Sequence, residues 1–314
     1  MNIGIIGAGL AGATAARHLS DAGHAVCVLE KSGGTGGRLS TRRSDVGLFD
    51  HGAQYLSAKG EAFEAFLSEM EKAGAAARWS PQGQDRPQPW YRGMPGMSGL
   101  VKPLLAGIDV RNRQTANAVQ LGENGVSVST QEGETFAFDR LLVCCPTPQA
   151  KALVGALDHC FDALDTVVYA PCWTAMLAFE RTVQSAPDVL RGDHEKPLGW
   201  LTRESAKRGA DGYDCFTMQA GMAWSAEHLE RDKDDIAAEM AGFFCDYFKT
   251  DIACVSAAAH RWRYAAVTQS VGTPFLSGCN HHIIVAGDGL LGGRAEAAFD
   301  SGLAAAEFLC AQAT

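Results

Sequence analysis

Apolar positions along the chain follow two periods. Short runs that are continuous or alternate with polar residues, stopped by glycine or proline, predict strands. They are NIGIIG (2–7), AVCVLE (25–30), GVSVST (125–130), LLVCCP (141–146) and IIVAGD (283–288). Longer stretches with the helical period predict LAGATAARHLSDAG (10–23), GEAFEAFLSEMEKAG (60–74) and ERDKDDIAAEMAGFFCDYF (230–248). In the second of these Phe63, Phe66, Leu67 and Met70 share one face. The acids that open the third are favoured near a helix N-terminus. Between 151 and 260 the texture changes to aromatic and apolar strands, CWTAMLAFE (172–180) and YDCFTMQAG (213–221). The segment SPQGQDRPQPWYRGMPG (80–96) is rich in Pro, Gly and Gln and reads as an extended connection.

Two of the strands run into glycines and then into a helix of small residues, and they stand about 280 residues apart. In the first, Gly7, Gly9 and Gly12 form G-x-G-x-x-G, and the next strand ends in Glu30. That is a β-α-β unit for a dinucleotide. Gly7 permits the tight turn, Gly9 lets backbone approach a pyrophosphate, and Gly12 lets the helix sit close to the sheet. The helix N-terminus faces the phosphates, and Glu30 accepts from ribose hydroxyls. Gly36, Gly37 and Arg38 follow at once, an element suited to a flavin dinucleotide rather than to NAD. The glycines admit backbone, and Arg38 offers its fork to the pyrophosphate. Arg42 and Arg43 read as surface charges.

Length and composition add limits. At 314 residues, 46% hydrophobic and 20% charged, the chain has room for two domains and no disordered character. A net charge of -9 argues against a nucleic-acid binder. The ten cysteines show no C-x-x-C and no zinc spacing, so they read as small buried thiols. No apolar stretch reaches the roughly 18 residues of a membrane span, and the N-terminus lacks the basic region of a signal peptide. These features predict a cytoplasmic protein without a membrane partner. His281 and His282 are neighbours that point to opposite faces of a strand or lie in a loop, so no metal site is expected. GMSGL (96–100) lacks the final glycine of a serine-nucleophile turn.

The spacing from Glu30 to Arg38 resembles the flavin amine oxidase superfamily. FDHGAQYLSAK (49–59), WYRGMPGMSGLVKPLLAG (90–107), HRWRYA (260–265) and AGDGLLGGRAEAAFDSG (286–302) narrow the resemblance to the renalases, especially bacterial ones. It spans nearly the whole chain. It implies an α/β fold like p-hydroxybenzoate hydroxylase, a Rossmann-type FAD-binding domain with a smaller sheet-based substrate domain. The division expected is 1–57, 98–150 and 261–314 for FAD, and 58–97 with 151–260 for substrate. FAD would be noncovalent, held by Gly7, Gly9, Ala11, Gly12, Glu30, Lys31, Gly37, Arg38, Gln54, Tyr55, Gly287, Asp288 and Arg294. The second glycine turn would place a helix N-terminus near the rest of the cofactor.

For catalysis the candidates are Trp262, His260, Arg263 and Trp200. Trp262 either stacks on a flat substrate ring or packs in a core; His260, Arg261 or Arg263 meets anionic groups or lies on the surface. The resemblance implies oxidation of the 2- and 6-dihydro isomers of NAD(P)H to NAD(P)+, with O2 giving H2O2. An amine oxidase or desaturase, or an FAD-binding protein without turnover, is the alternative. Monoamine-type enzymes carry Gly-Tyr near the C-terminus where this chain has Gly293-Arg294, which favours the renalase reading. Bacterial renalases carry an aromatic residue where this chain has Gly289, which leaves a gap expected beside the flavin.

Overall fold

The computed structural model describes residues 1–82, 89–123, 125–210 and 212–312. Part of the connection expected over 80–96, residues 83–88, lies outside the described residues.

The nucleotide-binding sheet has six strands, in the order Phe275–Gly278, Ile283–Ala286, Arg140–Val143, Asn2–Ile6, Ala25–Glu30 and Asp109–Asn112. All pairs are parallel except the first. Its central strands are apolar on both faces because both are covered, one by the helices Leu10–Asp21 and Ala295–Ala311, the other by a three-stranded sheet (Ala116–Gly122, Gly125–Thr130, Thr135–Phe138) with the helix Thr147–Val154. Asn2–Ile6 is followed by the helix Leu10–Asp21, and Ile283–Ala286 leads through the short helix Asp288–Leu291 into the helix Ala295–Ala311. Only Arg140–Val143 separates the two strands that carry the glycine turns. Their carboxyl ends therefore open on one edge of one sheet, where open α/β sheets place ligands.

Small residues bring the two helices together. A Cβ on Gly302 would stand 2.2 Å from the Ala11 carbonyl oxygen. The fingerprint glycines each have a distinct cause. Gly7 has φ +105°, a Cβ on Gly12 would strike the Gly7 carbonyl oxygen at 2.0 Å, and a Cβ on Gly9 would meet nothing within 4 Å. Gly9 is thus the position where the backbone faces open space.

The second sheet is antiparallel, in the order Val189–Arg191, Trp200–Arg203, Asp214–Gln219, Val168–Phe179, Cys254–Gln269. The helix Lys233–Phe248 covers one face through Ile236, Met240, Phe244 and Phe248, which pack with Leu177, Phe179 and Phe216. The other face turns toward the glycine turns. Cys254–Gln269 runs unbroken through residue 261, where the sequence suggests a domain boundary, because its pairing with Val168–Phe179 continues on both sides. The helix Glu61–Lys72 buries the four apolar residues expected, and they join Phe299 and the core of the nucleotide-binding sheet.

Candidate functional site: a cationic cleft between two sheets

At the nucleotide end, Glu30 is 6% exposed and accepts from the backbone N–H of Ala8 (2.9 Å) and of Ser32 (2.8 Å). It ties the glycine turn to the end of its own strand and still borders the cleft. The 31–38 loop folds back so that Gly36 N–H donates to the Ala8 carbonyl at 2.8 Å. Gly37 has φ +54°, and a Cβ there would lie 3.4 Å from the Gly9 Cα. The two glycine motifs are therefore in contact. No side chain caps the helix that starts at Leu10. An uncapped helix N-terminus beside bare backbone is a cradle for phosphate.

Arg38 and Asp288, 250 residues apart, form a bidentate ion pair with two hydrogen bonds of 2.6 Å. Arg38 also donates to the Ala265 carbonyl at 3.3 Å. The two chain ends and the long strand of the second sheet thus meet at one guanidinium. The gap expected at Gly289 is absent. A Cβ there would strike Thr147 Cγ2 at 2.6 Å and the Tyr169 hydroxyl at 2.7 Å, so Tyr169 from the second sheet fills the space. That side chain comes from 120 residues away, so the local sequence carried no sign of it.

Further along the cleft, His51, His260 and Trp262 form an aromatic cluster. His51 stacks on Trp262 with centroids 5.3 Å apart, and His260 meets His51 edge-on at 4.9 Å. Trp262 Nε1 donates to the His51 carbonyl at 2.7 Å. Trp262 is half-buried and borders the cleft, so it is both packed and presented. The next wall is Tyr55 stacked on Trp90 at 3.8 Å, with Trp200 beside both. Gln54 is buried, donating to the carbonyls of Asp50 and Gly52. Gln219 Nε2 donates to the same Gly52 carbonyl at 2.7 Å.

Burial, then the neighbouring His260 and Arg42, pushes the His51 imidazole down to about 4, against a smaller opposing pull from the Phe49 backbone and Asp50. A histidine in the unfolded chain titrates near 6.5. Between those values the unfolded chain binds a proton that the folded chain refuses. Stability from this group is therefore lost as pH falls from about 6.5 toward 4, by about 2–3 kcal/mol in all. We expect urea unfolding at pH 7.5 and 4.5 to show a larger acid loss in the parent than in His51→Gln, by about 2 kcal/mol. Equal losses would mean that His51 is not held neutral.

The cleft has a volume of ≈ 1830 Å³. That exceeds the roughly 300–1,000 Å³ of a single small-ligand pocket and suits a dinucleotide with a second molecule beside it. Among the described residues it is lined by nine lysines and arginines against two carboxylates, Glu30 and Asp288. Glu30 is bound to backbone and Asp288 to Arg38. Arg261 and Arg263 share Glu230 and Arg294 pairs with Glu296, so among the described residues Lys31, Arg42, Arg43, Lys102 and Arg191 are the cations that leave the cleft positive on a chain of net charge -9.

Most of the residues singled out in the sequence border this one cleft: Gly7, Gly9, Ala11, Glu30, Lys31, Gly37, Arg38, Gln54, Tyr55, Trp200, His260, Trp262, Gly287, Asp288 and Arg294. Gly12 lies behind the turn as packing. Lys31 is exposed and reaches Gln149 Oε1 at 3.3 Å. Arg294 donates to the Ser57 carbonyl and pairs with Glu296, which in turn accepts from the N–H of Gly60. Arg263 borders the cleft but pairs at 2.7 Å with the exposed Glu230, and Arg261 pairs with the same carboxylate. Strand alternation separates the two from His260 and Trp262. His51 stands inside FDHGAQY but was not legible as a site residue, because a lone histidine carries no period. Among the described residues no cluster of His, Cys, Asp or Glu suits a metal ion, and His281 and His282 lie in a turn.

A parallel sheet with a glycine cradle, closed by an antiparallel sheet with aromatic walls, defines a dinucleotide-binding protein with room for a second molecule. The model for NAD(P)-binding Rossmann-like domains matches residues 5–70, and that for flavin containing amine oxidoreductases matches residues 84–309. The chain belongs to the flavin containing amine oxidoreductase family, and so is a flavin-dependent oxidoreductase. It is 24% identical to renalase of Mus musculus over 294 residues, covering 85% of each chain. The fold is shared with solved structures that cover 99% of both chains. Cyclohexylamine oxidase from Brevibacterium oxydans IH-35A matches with TM-score 0.74 at 12% identity. A putrescine oxidase variant matches with 0.76 at 13%. No described helix is long and apolar enough to cross a membrane.

Proposed function

We propose that this protein is a renalase-type oxidase that binds FAD noncovalently and oxidises 2- and 6-dihydro isomers of NAD(P)H to NAD(P)+, with O2 reduced to H2O2, in the cytoplasm. The observation that carries the reading is the charge of the cleft. An amine substrate is a cation at neutral pH and enters a site lined by arginines at a cost, whereas a dinucleotide carries two or more negative charges and is drawn in. The likeness to mouse renalase supports the same choice.

The residues present suit the cofactor. The bare backbone at Gly9, the uncapped helix and Glu30 would hold the adenosine and pyrophosphate half. Arg38, Asp288 and the 54–55 segment would hold the flavin half. Three cysteines border the cleft, and burial raises all of them: Cys145 to about 12, Cys172 to about 11, and Cys144 further still. A thioether tether needs a thiolate, so these thiols favour a noncovalent flavin. When bound, the flavin supplies a hydride acceptor whose two electrons leave to O2, with one further proton, as H2O2. The chain's own part is to orient and to dry the site. Trp262, fixed by its bond to the His51 carbonyl, offers a flat wall for a dihydropyridine ring. The neutral His51 adds no positive charge where a pyridinium must form.

The test is anaerobic mixing of the flavin-loaded protein with the 2- and 6-dihydro NAD isomers, ordinary NADH and a panel of amines. Bleaching of the flavin band by the isomers, at least about 100-fold faster than by any amine, is the expected result, a difference of about 2.7 kcal/mol in barrier. Bleaching by an amine alone would move the chain to the amine oxidases. Acid precipitation should leave FAD in the supernatant.

A further inference from the structure

Strand register aligns five residues in one row across the cleft-facing side of the second sheet. Arg191 pairs with Trp200, Trp200 with Gln219, Gln219 with Thr174, and Thr174 with His260. Residues in register share a face, so the row is continuous from the His51–Trp262 cluster to the far edge strand. Four steps between strands span about 19 Å. Thr174 is fully buried; the other four border the cleft. At the far end the Arg191 guanidinium lies over the Trp200 ring, 5.5 Å from its centre. Trp200 is itself fixed by its Nε1 bond to Thr202 Oγ1 at 2.9 Å.

Among the described residues three arginines of the cleft, Arg42, Arg43 and Arg191, have no carboxylate partner, and of these Arg191 is the one laid over an aromatic ring. Arg38 holds Asp288, Arg261 and Arg263 hold Glu230, and Arg294 holds Glu296. Among the described residues no carboxylate pairs with Arg191. A guanidinium oriented by a ring on one face keeps its N–H edge free, and that edge fits two oxygens of a phosphate. His194 borders the cleft close by in sequence and adds a second donor.

We propose that Arg191, laid on Trp200, is the anchor for the phosphate groups of the substrate, and that the row from His260 to Arg191 is the track along which a dinucleotide substrate lies. This rests on the proposed function, since it assigns the phosphates of that substrate. It makes Arg191 a specificity-determining residue: a simple amine, or a dihydropyridine without phosphates, does not reach it.

The experiment uses flavin-loaded protein and the variants Arg191→Gln and Arg191→Lys, with flavin content as the check on folding. ADP-ribose and inorganic pyrophosphate are titrated against the flavin spectrum and tryptophan fluorescence. Anaerobic flavin reduction is then followed with a dihydro NAD isomer and with the corresponding riboside, which lacks phosphate. We expect Arg191→Gln to weaken ADP-ribose binding about tenfold, the effect of removing one charge-assisted hydrogen bond, with Arg191→Lys intermediate. Half-saturation by the dinucleotide isomer should rise by a similar factor, while that by the riboside stays put. Parent-like ADP-ribose binding and dinucleotide use in Arg191→Gln would overturn the assignment while leaving the oxidase reading intact. Equal losses for riboside and dinucleotide would also overturn it. If no isomer reduces the flavin but ADP-ribose still binds through Arg191, the anchor stands and the oxidase substrate is a different phosphate-bearing molecule.

Discussion

Lys207→Met is expected to lower the free energy of unfolding by about 3–5 kcal/mol at pH 7, the cost of breaking a buried ion pair from one side. Lys207 and Asp50 are 1% and 0% exposed in their side chains, and their charges stand 2.7 Å apart. Asp50 accepts from Lys207 and Arg208 with one oxygen, and from Thr41 Oγ1 and Met97 N–H with the other. Glu204 pairs with Arg208 and accepts from Asp50 N–H at 3.0 Å. Two carboxylates are thus balanced by two cations, and removing Lys207 leaves one buried negative charge uncompensated. Burial opposes ionisation of Asp50, but Lys207 and Arg208 outweigh it and hold its carboxyl below the usual carboxylate range. The stability this pair contributes is present above the ordinary carboxylate pKa and is lost as pH falls through the lower folded value. The variant should show a weaker acid dependence there. Lys207→Met combined with Asp50→Asn should recover part of the loss, because it leaves no unpaired charge. Urea unfolding of the three proteins decides it; a loss under about 1 kcal/mol for the single change would refute a dry ion network. The consequence reaches the cleft, since Asp50 precedes His51 and fixes the segment on which Trp262 rests.

Arg38→Ala is expected to empty the protein of flavin on dialysis. Removing one charged hydrogen bond weakens binding by about 1.5–3 kcal/mol, roughly 10- to 100-fold. Arg38 has two places in the cleft: it borders the glycine cradle, and it neutralises Asp288, whose side chain is 9% exposed. Its loss therefore leaves a nearly buried carboxylate beside the second glycine turn as well as removing a cation. The measurement is flavin retained per chain, with a double-mutant cycle using Asp288→Ala. A coupling of about 1–3 kcal/mol in unfolding is expected. Full flavin retention would remove Arg38 from the cofactor site, and strict additivity would break the link between the two ends of the chain.

The β-α-β unit was legible from its residues because every device in it is local. The period of each element, the three glycines and the terminal Glu30 lie close together at the start of the chain; Gly7 has a conformational cause, Gly12 a steric one, and Gly9 leaves backbone open to the cleft. The helix Glu61–Lys72, the strands of the second sheet and the second glycine turn were legible for the same reason. Arg38 and Asp288 were each picked out by their motifs, but nothing in either motif says that they bind one another. Tyr169 filling the space at Gly289 is of the same kind.

Other features had no linear sign at all. Lys207, Arg208 and Glu204 sit in TRESAKRG, a stretch that hydropathy alone assigns to the surface. Lys207 and Arg208 are buried because Asp50, more than 150 residues away, supplies counter-charge, and Arg208 in turn balances Glu204. His51 gains its neutral imidazole from burial beside His260 and Arg42. The row ending at Arg191 is assembled from five strands whose register is set only when the sheet forms. The sequence by itself thus determined the elements, the nucleotide cradle and the family, all of which depend on neighbours along the chain. The tertiary structure alone decided which charges are paired, which arginine is laid on an aromatic ring without a carboxylate and which side chains face one another across the cleft. Those properties depend on distance in space, and Coulomb energy and burial take no account of position in sequence.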